Sequence, residues 1–96
     1  MRFTVDGDST MAGDFDNEDG GTLTVNEDLT GITTLTNTGT GSTVTVGSGA
    51  TLGATSLVNE LTATLDVNGG TVSGALDNSA AVMFAGTMTG DVANTG

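Results

Sequence analysis

The chain has 96 residues, a length that suits one small domain or a piece of a longer repeat array. Sixteen Gly and three Phe, with no Trp, Tyr, Pro or Cys, leave material only for a thin, repetitive core, and exclude a disulfide scaffold, thiolate metal sites and Cys nucleophiles. Twelve acidic residues against a single basic one, Arg2, give a net charge of −11, which argues against nucleic acid and anionic membrane as partners, and the absence of His removes the commonest general base and zinc ligand.

The chain opens on Arg2-Phe-Thr-Val5, which alternates polar and apolar residues as a half-buried strand does. It lacks the apolar core of a signal peptide, so any export signal is expected to have been removed or to lie outside these residues. The same strand type returns as Thr22-Leu-Thr-Val25, Thr43-Val-Thr-Val46 and Thr64-Leu-Asp-Val67. The last three start 21 residues apart, and the first lies 20 before them. A fixed period near 20 marks a solenoid in which each repeat is one coil. Alternation then puts Phe3, Val5, Leu23, Val25, Val44, Val46, Leu65 and Val67 inside, and leaves Thr4, Thr22, Thr24, Thr43, Thr45 and Thr64 outside.

A second, longer rung is interleaved with the first. It reads Ser9-Thr-Met-Ala-Gly-Asp-Phe-Asp-Asn17, Gly70-Thr-Val-Ser-Gly-Ala-Leu-Asp-Asn78 and Gly86-Thr-Met-Thr-Gly-Asp-Val-Ala-Asn94. A variant form, Gly31-Ile-Thr-Thr-Leu-Thr-Asn37 and Gly53-Ala-Thr-Ser-Leu-Val-Asn59, closes the two coils between. Period two predicts inward Gly13, Gly74 and Gly90, where opposing sheets could approach closely, and inward Thr33 and Thr55 in the variant coils. Every coil ends on Asn, at Asn17, Asn37, Asn59, Asn78 and Asn94, spaced 20, 22, 19 and 16 residues apart. Two readings of these Asn stand: a column of stacked amides, or turn residues in left-handed conformation. Gly, Asn and Asp clusters such as Asp6-Gly-Asp-Ser9 and Asn68-Gly-Gly70 separate the rungs as turns. The fold class expected is therefore all-β, a parallel β-helix of about four to five coils of 16–22 residues forming a single segment over residues 1–96.

With the coils aligned, the chain resembles the β-helical passenger segments of bacterial autotransporters and filamentous-haemagglutinin-like adhesins. Thr43-Val-Thr-Val-Gly-Ser-Gly-Ala-Thr-Leu52, Thr64-Leu-Asp-Val-Asn-Gly-Gly-Thr-Val72 and Gly86-Thr-Met-Thr-Gly-Asp-Val-Ala-Asn-Thr-Gly96 carry the likeness. That resemblance implies a right-handed β-solenoid, secreted to a bacterial cell surface, with no active site in the rod. Residues 70–96 are also similar to bactofilins, cytoskeletal β-helices that polymerise end to end, but bactofilin coils are shorter and richer in Ile and Lys, which argues against that match.

Candidate chemistry is sparse. Ser and Thr are plentiful, but no His or Lys is present to activate them, so no enzyme is expected. The acids gather near the start, at Asp6, Asp8, Asp14, Asp16, Glu18 and Asp19. Asp14-Phe-Asp-Asn-Glu-Asp-Gly20 is similar to the opening of an EF-hand loop, although Asp19 stands where its Gly is needed and Val25 where its bidentate Glu belongs. The segment reads either as a solvated acidic face or as a weak Ca²⁺ site, with no other cofactor. Phe3 and Val5 occupy an inward rung with no cap ahead of them, and form an end on which another copy could stack. No run of about twenty apolar residues could span a bilayer. The functional expectation is a structural or adhesive segment of a surface protein, whose partners are copies of itself or other surface molecules. A filament subunit stacked head to tail is the alternative, and an ice- or crystal-binding Thr array is the third reading.

Overall fold

Thr alternating with Val or Leu favours extended chain, because β-branched side chains pack well on a pleated surface and crowd a helix. The computed structural model describes residues 2–94, so Thr95 and Gly96, the end of the last repeat, lie outside it. Nine strands form: β1 (Arg2–Val5), β2 (Ser9–Asn17), β3 (Thr22–Val25), β4 (Leu29–Asn37), β5 (Thr43–Val46), β6 (Thr51–Asn59), β7 (Thr64–Asn78), β8 (Ala81–Thr89) and β9 (Val92–Asn94). No helix occurs among the described residues.

All pairing is parallel and runs between equivalent positions of successive turns. The short strands stack as β1, β3, β5 and the first part of β7, and the long ones as β2, β4, β6 and the rest of β7; β8 and β9 then cover β7. The chain is thus a β-solenoid of five coils, the fold class that the period near 20 predicts.

Register builds the core as columns. Phe3, Leu23, Val44, Leu65 and Val82 lie in one, and Val5, Val25, Val46, Val67 and Phe84 in the next. On the long strands Leu29, Leu52, Val72 and Met88 form a third column, and Phe15, Leu35, Leu57, Leu76 and Val92 a fourth. The middle coils bury these side chains almost completely. Each buried Leu or Val contributes about 1.5–3 kcal/mol relative to exposure, so the core draws its stability from many equal small terms.

Strict period two fails on the long strands. β4 buries Leu29, Ile32, Leu35 and Asn37, and Thr33 is exposed; β6 buries Leu52, Ala54, Leu57 and Asn59, and Thr55 is exposed. A register shift in each strand inserts an extra residue, which turns the expected inward Thr outward and hands its place to Ile32 or Ala54. The glycines also act differently from expectation. Gly74 and Gly90 have φ of 127° and 131°, and each presses on its own neighbouring coil, not on an opposing sheet. A Cβ on Gly74 would lie 1.7 Å from the Ala54 carbonyl oxygen, and one on Gly90 2.2 Å from that of Gly74. The Asn68-Gly-Gly70 cluster, expected as a turn, lies within β7, because Gly70 hugs the coil below: a Cβ there would meet the Gly47 oxygen at 2.6 Å.

Corners carry small buried residues that alternation does not reveal. Gly21, Ser42 and Ala63 each precede a short strand and are buried. Ser42 Oγ accepts a hydrogen bond from Gly20 N at 3.0 Å, which satisfies its buried hydroxyl. The molecule measures 30 × 28 × 24 Å, so five coils make a block about as wide as it is long.

Candidate functional site

Asn ends each coil because the chain must turn there while a buried polar side chain still finds partners. The five amides bond to one another in sequence. Asn17 Nδ2 donates to Asn37 Oδ1 at 2.9 Å, Asn37 to Asn59 at 2.9 Å, Asn59 to Asn78 at 2.8 Å and Asn78 to Asn94 at 2.7 Å. The Nδ2 groups of the first four also donate to the backbone: Asn17 to the Gly21 and Thr43 carbonyls, Asn37 to that of Thr64, Asn59 to that of Ala81 and Asn78 to that of Ala80. All five amides therefore point the same way. The column is a ladder, with the four residues from Asn17 to Asn78 buried and Asn94 exposed. Its Oδ1 at Asn17 and its Nδ2 at Asn94 have no hydrogen-bond partner among the described residues.

The acidic segment does not converge. Asp14 and Asp16 project outward from β2, Glu18 and Asp19 occupy the following turn, and Asp6 and Asp8 lie in the turn before β2, all exposed. No group of three or more acidic side chains placed to hold a metal occurs among the described residues. The reason is the solenoid itself, which spreads neighbours in sequence over a strand face and two corners. Two of these acids brace adjacent coils. Asp6 Oδ1 accepts from Asn26 Nδ2 at 3.0 Å, and Asp8 Oδ1 from the backbone N–H of Asp28 at 3.2 Å. Asp28 repeats the device one coil on, accepting from Thr51 N at 3.0 Å. The sequence offered a signal for this brace, Asp before a rung at positions 8 and 28, 20 residues apart.

The outward faces are hydroxyl-rich. On the short-strand face, register aligns Thr22, Thr43 and Thr64 in one column and Thr4, Thr24 and Thr45 in a second, with Asp66 following Thr45. The long strands add a face that sequence reading missed, with Thr51, Thr71 and Thr87 in one column and Ser73 beside Thr89 in another. Along a strand the hydroxyls recur every ~6.6 Å, and between coils every ~4.8 Å. Of these threonines only Thr43 donates its hydroxyl to a protein group, the Gly41 carbonyl at 3.5 Å, among the described residues. The remainder can bind water or a ligand.

Both ends of the coil are apolar. Phe3 is 45% exposed and packs edge-to-face on Phe15, with ring centroids 5.5 Å apart. Val5 beneath is buried. At the other end Leu76, Val82, Phe84, Met88 and Val92 surround an open hollow of about 440 Å³, rimmed by Asn78 and Asn94.

Comparison of the chain with protein-family models, with curated proteins and with solved structures found no match.

Proposed function

We propose that this chain is a non-catalytic structural segment of a secreted bacterial surface protein, a length of β-solenoid that displays hydroxyl-bearing faces for adhesion. The observation that carries the reading is the uninterrupted amide ladder from Asn17 to Asn94, which clamps five coils in one register beneath those faces. Chemistry of this kind makes a stiff display surface: short side chains, fixed spacing, and donors and acceptors free to meet a hydroxylated or hydrated partner. The resemblance of residues 43–96 to adhesin coils is what supports a surface location.

The test is binding of labelled protein to immobilised polysaccharides, extracellular-matrix proteins and whole bacterial or host cells. Thr24→Lys with Thr45→Lys should abolish capture, with the circular dichroism spectrum unchanged. Equal capture of the variant, or capture by no surface, would overturn the reading. The same hydroxyl lattice supports a second function, ordering water at an ice or crystal face, because its two Thr columns stay in register from coil to coil. Ice shaping or thermal hysteresis by the wild-type protein, lost in the same double variant, would establish it.

A further inference from the structure

We infer that copies of this chain stack head to tail, the last coil of one receiving the first coil of the next, and that the asparagine ladder runs on across the junction. Three observations carry this, and none depends on which outward face is functional.

The first is the polarity of the ladder. Asn17, Asn37, Asn59 and Asn78 each donate toward the higher-numbered coil, so among the described residues one end of the block presents an acceptor without a partner, Asn17 Oδ1, and the other a donor without one, Asn94 Nδ2. These are complementary only in a head-to-tail arrangement. Head-to-head contact would set oxygen against oxygen, and tail-to-tail contact hydrogen against hydrogen.

The second is the placing of the aromatic residues. The chain's three Phe, at 3, 15 and 84, all stand in inward columns of the first and last coils, while the three middle coils fill the same columns with Leu and Val. Continuing the parallel register across a junction brings Phe3 onto Val82, Val5 onto Phe84 and Phe15 onto Val92. Each column thus meets its neighbour as one large side chain on one small one, the alternation by which facing layers interlock. The Phe3–Phe15 pair stands opposite the hollow of about 440 Å³.

The third is the free strand edges. Among the described residues β1 and β2 each pair on one side only, and so do β8 and β9. A parallel coil from a second copy satisfies both edges with the pairing used everywhere inside the block. Because this contact joins two different surfaces, it propagates as an open filament, not a closed dimer. Each copy adds five coils, or roughly 24 Å of length.

Asn94→Asp separates this contact from folding. An Asp oxygen still accepts the bond from Asn78 Nδ2, but it presents oxygen, not N–H, to the incoming Asn17. Its melting temperature as a monomer should match the wild type, while its association constant should fall about tenfold or more. Phe3→Lys blocks the opposite end. By sedimentation velocity the wild type should grow in mass with concentration, each variant alone should stay monomeric, and an equimolar mixture of the two should form a heterodimer and nothing larger. A trace of Asn94→Asp should also shorten wild-type filaments. A wild type that stays monomeric at every concentration and salt level overturns the inference and leaves the ends to another segment of a longer protein. Growth of Asn94→Asp equal to wild type, or no dimer from the mixture, overturns it as well.

Discussion

Gly74 sits so close to the Ala54 carbonyl that the two coils touch backbone to backbone, with no room for a methyl group between them. The contact shows why a residue with no side chain stands in the middle of an otherwise well-filled rung. It also distinguishes this glycine from its counterpart in the first coil. Gly13 has a similar φ of 114°, but a Cβ added there would meet nothing within 4 Å, because no coil lies beneath it among the described residues. Gly13→Ala should cost only the backbone strain, about 1–3 kcal/mol. Gly74→Ala should cost clearly more, because a backbone oxygen must also move. Urea unfolding of both variants checks this, and equal losses would assign the whole cost to φ.

The ladder predicts a graded effect of losing an amide. Asn59 is buried, accepts from Asn37, and donates to Asn78 and to the Ala81 carbonyl. Asn59→Ala should lower stability by about 1–3 kcal/mol, chiefly through the groups left unpaired on its neighbours. Asn94→Ala, at the exposed end, should cost less. Thermal melts of dilute monomer compare them directly.

The Asp28 brace is predicted to matter although the residue belongs to an acidic run. Its carboxylate accepts the Thr51 N–H at 3.0 Å. Asp28→Ala should destabilise by about 1 kcal/mol, and Asp28→Asn should recover most of the loss because its side-chain oxygen still accepts. Glu27→Ala beside it, with an exposed side chain, is the control and should be near neutral.

Thr62 is held at φ 72°, a region that a β-branched residue enters only under strain. Thr62→Gly should therefore stabilise the protein by about 1 kcal/mol, read as a shift of the urea midpoint at unchanged slope. Loss of stability on this substitution would mean that the Thr side chain contributes more than its backbone costs.

Much of the fold can be read from the chain because the solenoid repeats a local rule. Thr-Leu-Thr-Val and its variants alternate cleanly, since β3 and β5 pair without a register shift and bury every second residue. The long strands resist the same reading. Their bulges change the inward spacing, so Ile32 and Ala54 are core residues that alternation places outside. Recurring Asn is visible in sequence, but the direction of its bonds is not, since donor and acceptor share one side chain and only the three-dimensional register orients it. The acids illustrate the opposite case. Their nearness in sequence suggests a cluster, yet a strand that alternates faces and then turns a corner carries Asp8, Asp14 and Glu18 to separate surfaces. The Thr and Ser columns of the long strands were obscured by the same bulges that shift the core.

Ladder partners are separated by 20, 22, 19 and 16 residues, which makes the fold a winding process. Each turn closes a loop of nearly the same length, and over that range the closure entropy changes by only about 0.3 kcal/mol. No turn is topologically harder to add than another, and each needs only the turn before it as a template. Tension applied along the axis would then meet a series of similar barriers and unreel the chain turn by turn from a free end. The middle turn, holding Val44, Val46, Leu52 and Leu57, would be the last to exchange its amide protons with solvent.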